Sequence, residues 1–270
     1  MNPKVLLRGG GDLASGVALR IFRAGWPLII CELAEPMAVR RSVSFAQVMY
    51  SQEIVIEGVR ARRVDEAAEA LRMLEGGVLP VLVDPAAEIR RQFQPDVLVD
   101  GRMIKQPPEL GMDAAPLVIG MGPGFTVGEN CHAVVETKRG PSLGRVYWQG
   151  SAAPDTGLPE TVQGHQADRV LRAPLNGKIE NRAEIGDWVT ADQVVTVVDG
   201  VEVRAPFDSL VRGLLQDGLI VKKGVKIGDL DPRDEPALCE LVSDKALAIG
   251  GGVLEAILTL AGRRQVYTRA

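Results

Sequence analysis

The sequence predicts an α/β protein: a doubly wound N-terminal domain, then a β-rich module and a helical C-terminal segment. Three observations predict it. Short apolar runs such as VLLR and PLIICEL alternate with helical or glycine-bounded segments through the first half. After Gly140 the β-prone runs shorten and are separated by Gly, Pro and Asp. Finally, the stretch RAPLNGKIENRAEIGDWV from Arg172 is followed by a second RAP at Arg204, 32 residues later. With that offset and no gap, Gly186 falls on Gly218 and Val189 on Val221.

Taken in order, KVLLR (Lys4 to Arg8) reads as a buried strand and GGGDLASG as a turn. SGVALRIFRAG has Val17, Ala18, Ile21 and Phe22 at helical spacing, and Gly25 closes it. PLIICEL is the next strand, so a βαβ unit fits within about 30 residues. VDEAAEALRMLEGG is an amphipathic helix closed by glycines, VLPVLVDP a strand, AAEIRRQF a short helix and PDVLVDG a strand. PLVIGMGPGF adds a strand running into a glycine loop. Residues 1–140 are therefore expected to form a Rossmann-like doubly wound sheet, and 141–169 a loop-rich connector. Residues 170–230 hold the repeat, and 231–270 read as helical with a glycine interruption.

Composition excludes several classes. The net charge is −4 with no long basic run, and aromatics are 4%, which argues against nucleic acid as a partner. The three cysteines, Cys31, Cys131 and Cys239, are odd in number and far apart, as expected of reduced thiols. The opening MNPKVLLRGGG lacks the apolar stretch of a signal peptide, and no run approaches the ~18 residues of a membrane span. The expectation is a cytoplasmic protein.

Three glycine clusters are candidate ligand sites. In RGGGDLASG, Gly9, Gly11 and Ala14 match the G-x-G-x-x-A dinucleotide fingerprint, and Gly10 completes the loop. Glycine lets backbone approach a pyrophosphate, and the following helix N-terminus favours an anion. Glu32, ending the second strand, is placed for ribose hydroxyls. Asp12 would repel a diphosphate unless it caps the helix. A tight turn without ligand explains the same residues. In IGMGPGFTVGENCHAVVET, Gly120, Gly122 and Gly124 form a second loop at a strand end. Cys131 is a candidate nucleophile or sulfur or selenium acceptor, against the commoner role of a small packed residue. With only His132 and His165 in the chain, and no C-x-x-C or H-E-x-x-H, no metal site is expected. In SDKALAIGGGVLEAILTL, Gly250, Gly251 and Gly252 suggest a helix break and an anion-accepting turn, or else close packing.

Two short copies, each opening on Ala-Pro, are similar to the halves of the barrel-sandwich hybrid found in biotinyl and lipoyl domains. There the modified lysine sits at the linking hairpin tip. Here that hairpin is TVVDGVEV, its tip is Asp199-Gly200, and it holds no lysine. Neither biotin nor lipoate is expected.

Together, RGGGDLASGVALRIFRAGWPLIICEL, VLVDGRMIKQ, IGMGPGFTVGENCHAVVETKRG, KIGDLDPR and SDKALAIGGGVLEAIL resemble the accessory proteins of selenium-dependent molybdenum hydroxylase systems. The resemblance runs from Lys4 to Leu260. It implies a cytosolic maturation factor for a xanthine dehydrogenase-like client, whose molybdenum cofactor needs a late sulfur or selenium modification. A molybdopterin or a nucleotide bound through phosphate at the glycine loops suits that role. Two alternatives stand beside it: a nicotinamide-dependent oxidoreductase or group-transfer enzyme, and a non-catalytic scaffold that docks a client.

Overall fold

The computed structural model describes residues 2–155, 157 and 161–267. Thr156 and Leu158–Glu160 of the expected connector, and the last three residues of the expected helical segment, lie outside the described residues. The chain forms two units. One comprises Met1–Pro36, Phe45–Asp155 and Val242–Ala270, the other Met37–Ser44 and Thr156–Leu241.

The first unit runs β1 (Val5–Arg8), α1 (Asp12–Arg23), β2 (Leu28–Glu32), α2 (Val48–Ser51), β3 (Glu53–Ile56), β4 (Val59–Val64), α3 (Ala67–Met73), β5 (Leu79–Val83), α4 (Arg90–Phe93), β6 (Val97–Asp100), β7 (Leu117–Met121), β8 (Ala133–Val135) and β9 (Val146–Tyr147). Its strands make one nine-stranded sheet in the order β3-β4-β5-β2-β1-β6-β7-β8-β9. Every residue of β1, β2, β6 and β7 is buried, which is why these strands are apolar runs and not alternating ones, up to the charged residues Arg8, Glu32 and Asp100 that end the first three. β1 lies between β2 and β6, with Leu6 beside Ile29 and Leu98.

This arrangement corrects the expected fold class. The sheet is mixed: β3 and β9 run antiparallel to their neighbours at the two edges. Helices are few. Among the described residues only α1 and the C-terminal helix exceed seven residues, so most connections are loops or single turns, not the crossover helices of a doubly wound domain. The physical reason shows at AAEIRRQF. Pro85 and Pro95 flank it, and Gln94 turns left-handed (φ 49°), so α4 stops at four residues. The β3–β4 hairpin turns on Glu57 and Gly58, at φ 45° and 81°, the backbone of a type I′ turn.

The second unit carries β10 (Val170–Arg172), β11 (Gly177–Asn181), β12 (Trp188–Val189), β13 (Val194–Val198), β14 (Val201–Arg204), β15 (Ser209–Leu214), β16 (Ile220–Val221), β17 (Lys226–Asp231) and α5 (Ala237–Glu240). Two four-stranded antiparallel sheets form, β10-β17-β15-β12 and β14-β13-β11-β16. The 32-residue offset carries β11 onto β15, β12 onto β16 and β13 onto β17, and Gly186 and Gly218 take equivalent positive φ of 102° and 83°. A self-contained carrier-type module is nonetheless not what folds. Met37–Ser44, from the first half of the sequence, is built into the same unit. Leu214 N–H donates to Val39 O at 2.8 Å, and a Cβ on Gly213 would lie 2.9 Å from the Val39 side chain.

The chain then returns to the first unit as α6 (Asp244–Tyr267). The expected break at Gly250–Gly252 is absent: the helix runs straight through. Close packing accounts for two of the three glycines. A Cβ on Gly250 would stand 2.6 Å from Gly16 O of α1, and one on Gly252 would stand 2.1 Å from Gly144 O. Gly16 is equally tight against Ala246 O, at 2.4 Å. Backbone meets backbone where α1 and α6 cross, which only glycine permits.

Candidate functional site

The ends of β1, β6 and β7 carry the chemistry of the first unit. After β1, Gly9 turns left-handed (φ 91°) and its N–H donates to Cys31 O at 2.8 Å. Gly10 N–H donates to Glu32 Oε2 at 2.6 Å, and Leu33 N–H to Glu32 Oε1 at 2.7 Å. Glu32 thus ties two turns together with both oxygens, and is not held out for a ribose. Gly10 is covered by Ala46, whose N–H donates to Gly10 O at 2.8 Å. Two of the three amides of this loop are therefore engaged.

Gly11 differs. It is the N-cap of α1, in extended backbone, with no side-chain cap, and a Cβ there would meet nothing within 4 Å. Asp12 is the first helical residue and not the cap. The N–H groups of the first turn lack intrahelical acceptors and sit at the positive end of the helix dipole. Asp12 places one negative charge at the same end, which limits how much further anionic charge the turn accepts.

Beside this turn lies a network that the sequence reading did not single out. Arg8 and Asp100 end adjacent parallel strands and are register partners. Arg8 Nη1 is 3.3 Å from Asp100 Oδ2, and Nη2 donates to Pro85 O at 3.0 Å. Arg102 donates from Nε to Asp100 Oδ1 at 2.9 Å and from Nη2 to Asp100 Oδ2 at 2.7 Å. Both arginines then reach Glu109. Its Oε2 lies 3.3 Å from each Arg8 Nη and 2.9 Å from Arg102 Nη2, and its Oε1 is 3.3 Å from Arg102 Nη1. The hydrogen bond from Arg102 holds the Glu109 carboxyl down at about 2, and the two carboxylates raise Arg102 above its ordinary value against the opposing effect of burial. The readable signal was a charged residue closing each of two neighbouring apolar strands, in VLLR and VLVDGR.

The second glycine loop meets the segment that carries these groups. A Cβ on Gly122 would be 3.1 Å from the Met103 methyl, and one on Gly124 would be 2.5 Å from Ile104 O. Gly120 backs onto Phe125, whose ring would lie 2.1 Å from an added Cβ. Residues 102–109 therefore cross from Gly9 to Gly124, and packing within the protein accounts for Gly120, Gly122 and Gly124. Cys131 is fully buried, and burial pushes its thiol up to about 11. His132 Nδ1 accepts Val118 N–H at 3.0 Å, and burial lowers its basicity. Glu136, also buried, accepts Lys138 N–H and Ala153 N–H, each at 2.7 Å, so it organises backbone. Arg139 pairs with Asp244. Gly250–Gly252 lie within α6 and make no anion-accepting turn. Among the described residues no three His, Cys, Asp or Glu side chains gather as metal ligands, and no helix is long and apolar enough to cross a membrane.

No protein family model matches the chain. The chain is 46% identical over 256 residues to the uncharacterized protein YqeB of Escherichia coli strain K12. The match takes in 95% of this chain and 47% of YqeB, so the chain spans about half the length of that relative. Among solved structures it is similar to an aspartoacylase family protein of Mesorhizobium loti, at 13% identity, 85% of each chain and a TM-score of 0.25. It is also similar to the apo ectoine utilization protein EutE (DoeB) of Ruegeria pomeroyi, at 13% identity, 85% of this chain and 86% of the other, with a TM-score of 0.28. A putative succinylglutamate desuccinylase/aspartoacylase family protein of Shewanella amazonensis matches at 10% identity over 86% and 91%, with a TM-score of 0.25. TM-scores this low assign neither fold nor activity.

Proposed function

We propose that this protein is a cytoplasmic accessory factor for a selenium-dependent, xanthine dehydrogenase-like molybdenum hydroxylase. In this reading it holds a phosphate-bearing cofactor, a molybdopterin or a nucleotide, at the N-terminus of α1. The observation that carries the cofactor part is Gly11: an open N-cap on a 12-residue helix, with no side chain over it. The maturation part rests on the sequence resemblance. The first-turn N–H groups of α1 orient the anionic group, and Glu32 keeps the turn in shape by holding Gly10 N–H and Leu33 N–H. Cys131 has no part in this reading, because a buried neutral thiol is a poor chalcogen acceptor.

The test is deletion of the gene in a host that makes such a hydroxylase. The expected outcome is a normal amount of inactive hydroxylase that contains molybdenum but lacks the labile chalcogen. A fully active hydroxylase in the deletion strain would sink the reading.

A further inference from the structure

Arg8 and Arg102 bring two positive charges to the ends of β1 and β6, and Asp100 supplies one buried negative charge against them. One charge is left over, beside an Arg8 side chain that is only 3% exposed. A buried cation without a counter-charge is strongly unfavourable, so an anion belongs there. Glu109 fills that place, yet it is an unusual choice. Its side chain is 71% exposed, and it hangs on a segment with no regular secondary structure between β6 and Met112. With one partner this exposed, the pair is screened by solvent. Arg8 Nε, moreover, is enclosed and has no hydrogen-bond partner among the described residues. The donors are thus built into the sheet, while the acceptor is borrowed from a loop.

We propose that Arg8 and Arg102 form an anion receptor that Glu109 closes from within, and that an oxyanion, a carboxylate or a phosphate monoester, displaces it. Glu109 shows how the ligand sits: two oxygens shared between two guanidinium groups, as in bidentate recognition. A tethered carboxylate competes at an effective concentration on the order of millimolar, so the intact chain binds weakly and its own loop sets the threshold. The receptor deepens the proposed function by naming the group recognised beside the Gly11 turn, and it rests on that reading only for its placement.

The experiment titrates the full chain and the Glu109→Ala variant by calorimetry at fixed ionic strength, with inorganic phosphate in one arm and acetate in the other. Glu109→Ala is expected to bind one of the two at least about tenfold more tightly than the parent. The arm that gains identifies the ligand as phosphate or carboxylate. Adding Arg102→Gln to Glu109→Ala is expected to abolish that gain. Arg102 is chosen because Arg8 is buried and its loss could unfold the sheet; circular dichroism confirms that each variant folds. Equal affinity of parent and Glu109→Ala for both anions overturns the receptor, and so does a gain that survives Arg102→Gln. Either result leaves the maturation reading to its own genetic test, while an active hydroxylase in the deletion strain would leave this binding measurement standing.

Discussion

Cys131 shows what a residue's identity withholds. From the sequence it is a thiol shortly after a glycine loop; in the structure it has no exposed surface, and burial lifts it to about 11 despite hydrogen bonds from Gly120 and Ala133 that pull the other way. At pH 7.5 only about one molecule in a few thousand then carries the thiolate, which is the reactive form. Iodoacetamide at pH 7.5 is therefore expected to leave Cys131 unlabelled in the native protein and to label it in urea, as read by peptide mass mapping. Labelling of native Cys131 within minutes would return it to the candidate nucleophiles. Arg8 fails to stand out for the opposite reason. A charge ending an apolar run looks like the point where a strand meets solvent, and only its register with Asp100 reveals a buried pair. The glycine turn before α1 was legible as a local pattern, though the sequence offered Asp12 and not Gly11 as the cap; the engaged state of Gly9 and Gly10 was not legible, because their partners Cys31 and Glu32 lie more than 20 residues on.

At the scale of elements, the buried strands were readable and the edges were not. β1, β2, β5, β6 and β7 are apolar runs; the β3–β4 hairpin EIVIEGVRARRV alternates with charges and escaped notice. α6 was misread at its glycines, since propensity alone argues for a break there and tertiary packing overrides it. Two of its three consecutive glycines, Gly251 and Gly252, now make opposite predictions. Gly251 faces open space, so Gly251→Ala is expected to stabilise by about 1 kcal/mol through helix propensity and lost unfolded-state freedom. Gly252→Ala puts a methyl 2.1 Å from Gly144 O, a backbone atom that cannot swing aside, and is expected to cost roughly 1–3 kcal/mol. Urea midpoints of the two variants check this; two shifts in the same direction would show that α6 does not pack as described.

For the whole molecule, the repeat was visible because a fixed offset survives in the sequence, whereas the fold class was not, because both units are assembled from separated stretches. Met37–Ser44 joins strands that lie far downstream, and Val242–Ala270 returns to the first unit. No local pattern announces either. The second unit also hides a charge cluster that sets its response to acid. Asp229, 3% exposed at its side chain, receives Lys226 Nζ at 2.6 Å, Arg169 Nη1 at 3.2 Å and Arg212 Nη1 at 3.3 Å. Burial alone would raise its pKa, but the three cations outweigh that and hold it below the ordinary value; Asp231 is lowered too, with Arg233 outweighing its burial. A carboxylate whose folded pKa is depressed stabilises the fold fully above its unfolded value of about 3.9, and that contribution is lost as pH falls through the folded value. The contribution of these two aspartates to urea stability is therefore expected to be present in full and constant between pH 7 and about 5, and to be lost below about pH 4 as they take up protons. Asp229→Asn keeps the shape and removes the charge, leaving three cations around a neutral amide. It is expected to cost about 3 kcal/mol or more at pH 7 and to flatten the acid limb of the profile. A variant with the same acid limb as the parent, and a loss under about 1 kcal/mol, would show that the cluster does not hold the second unit together.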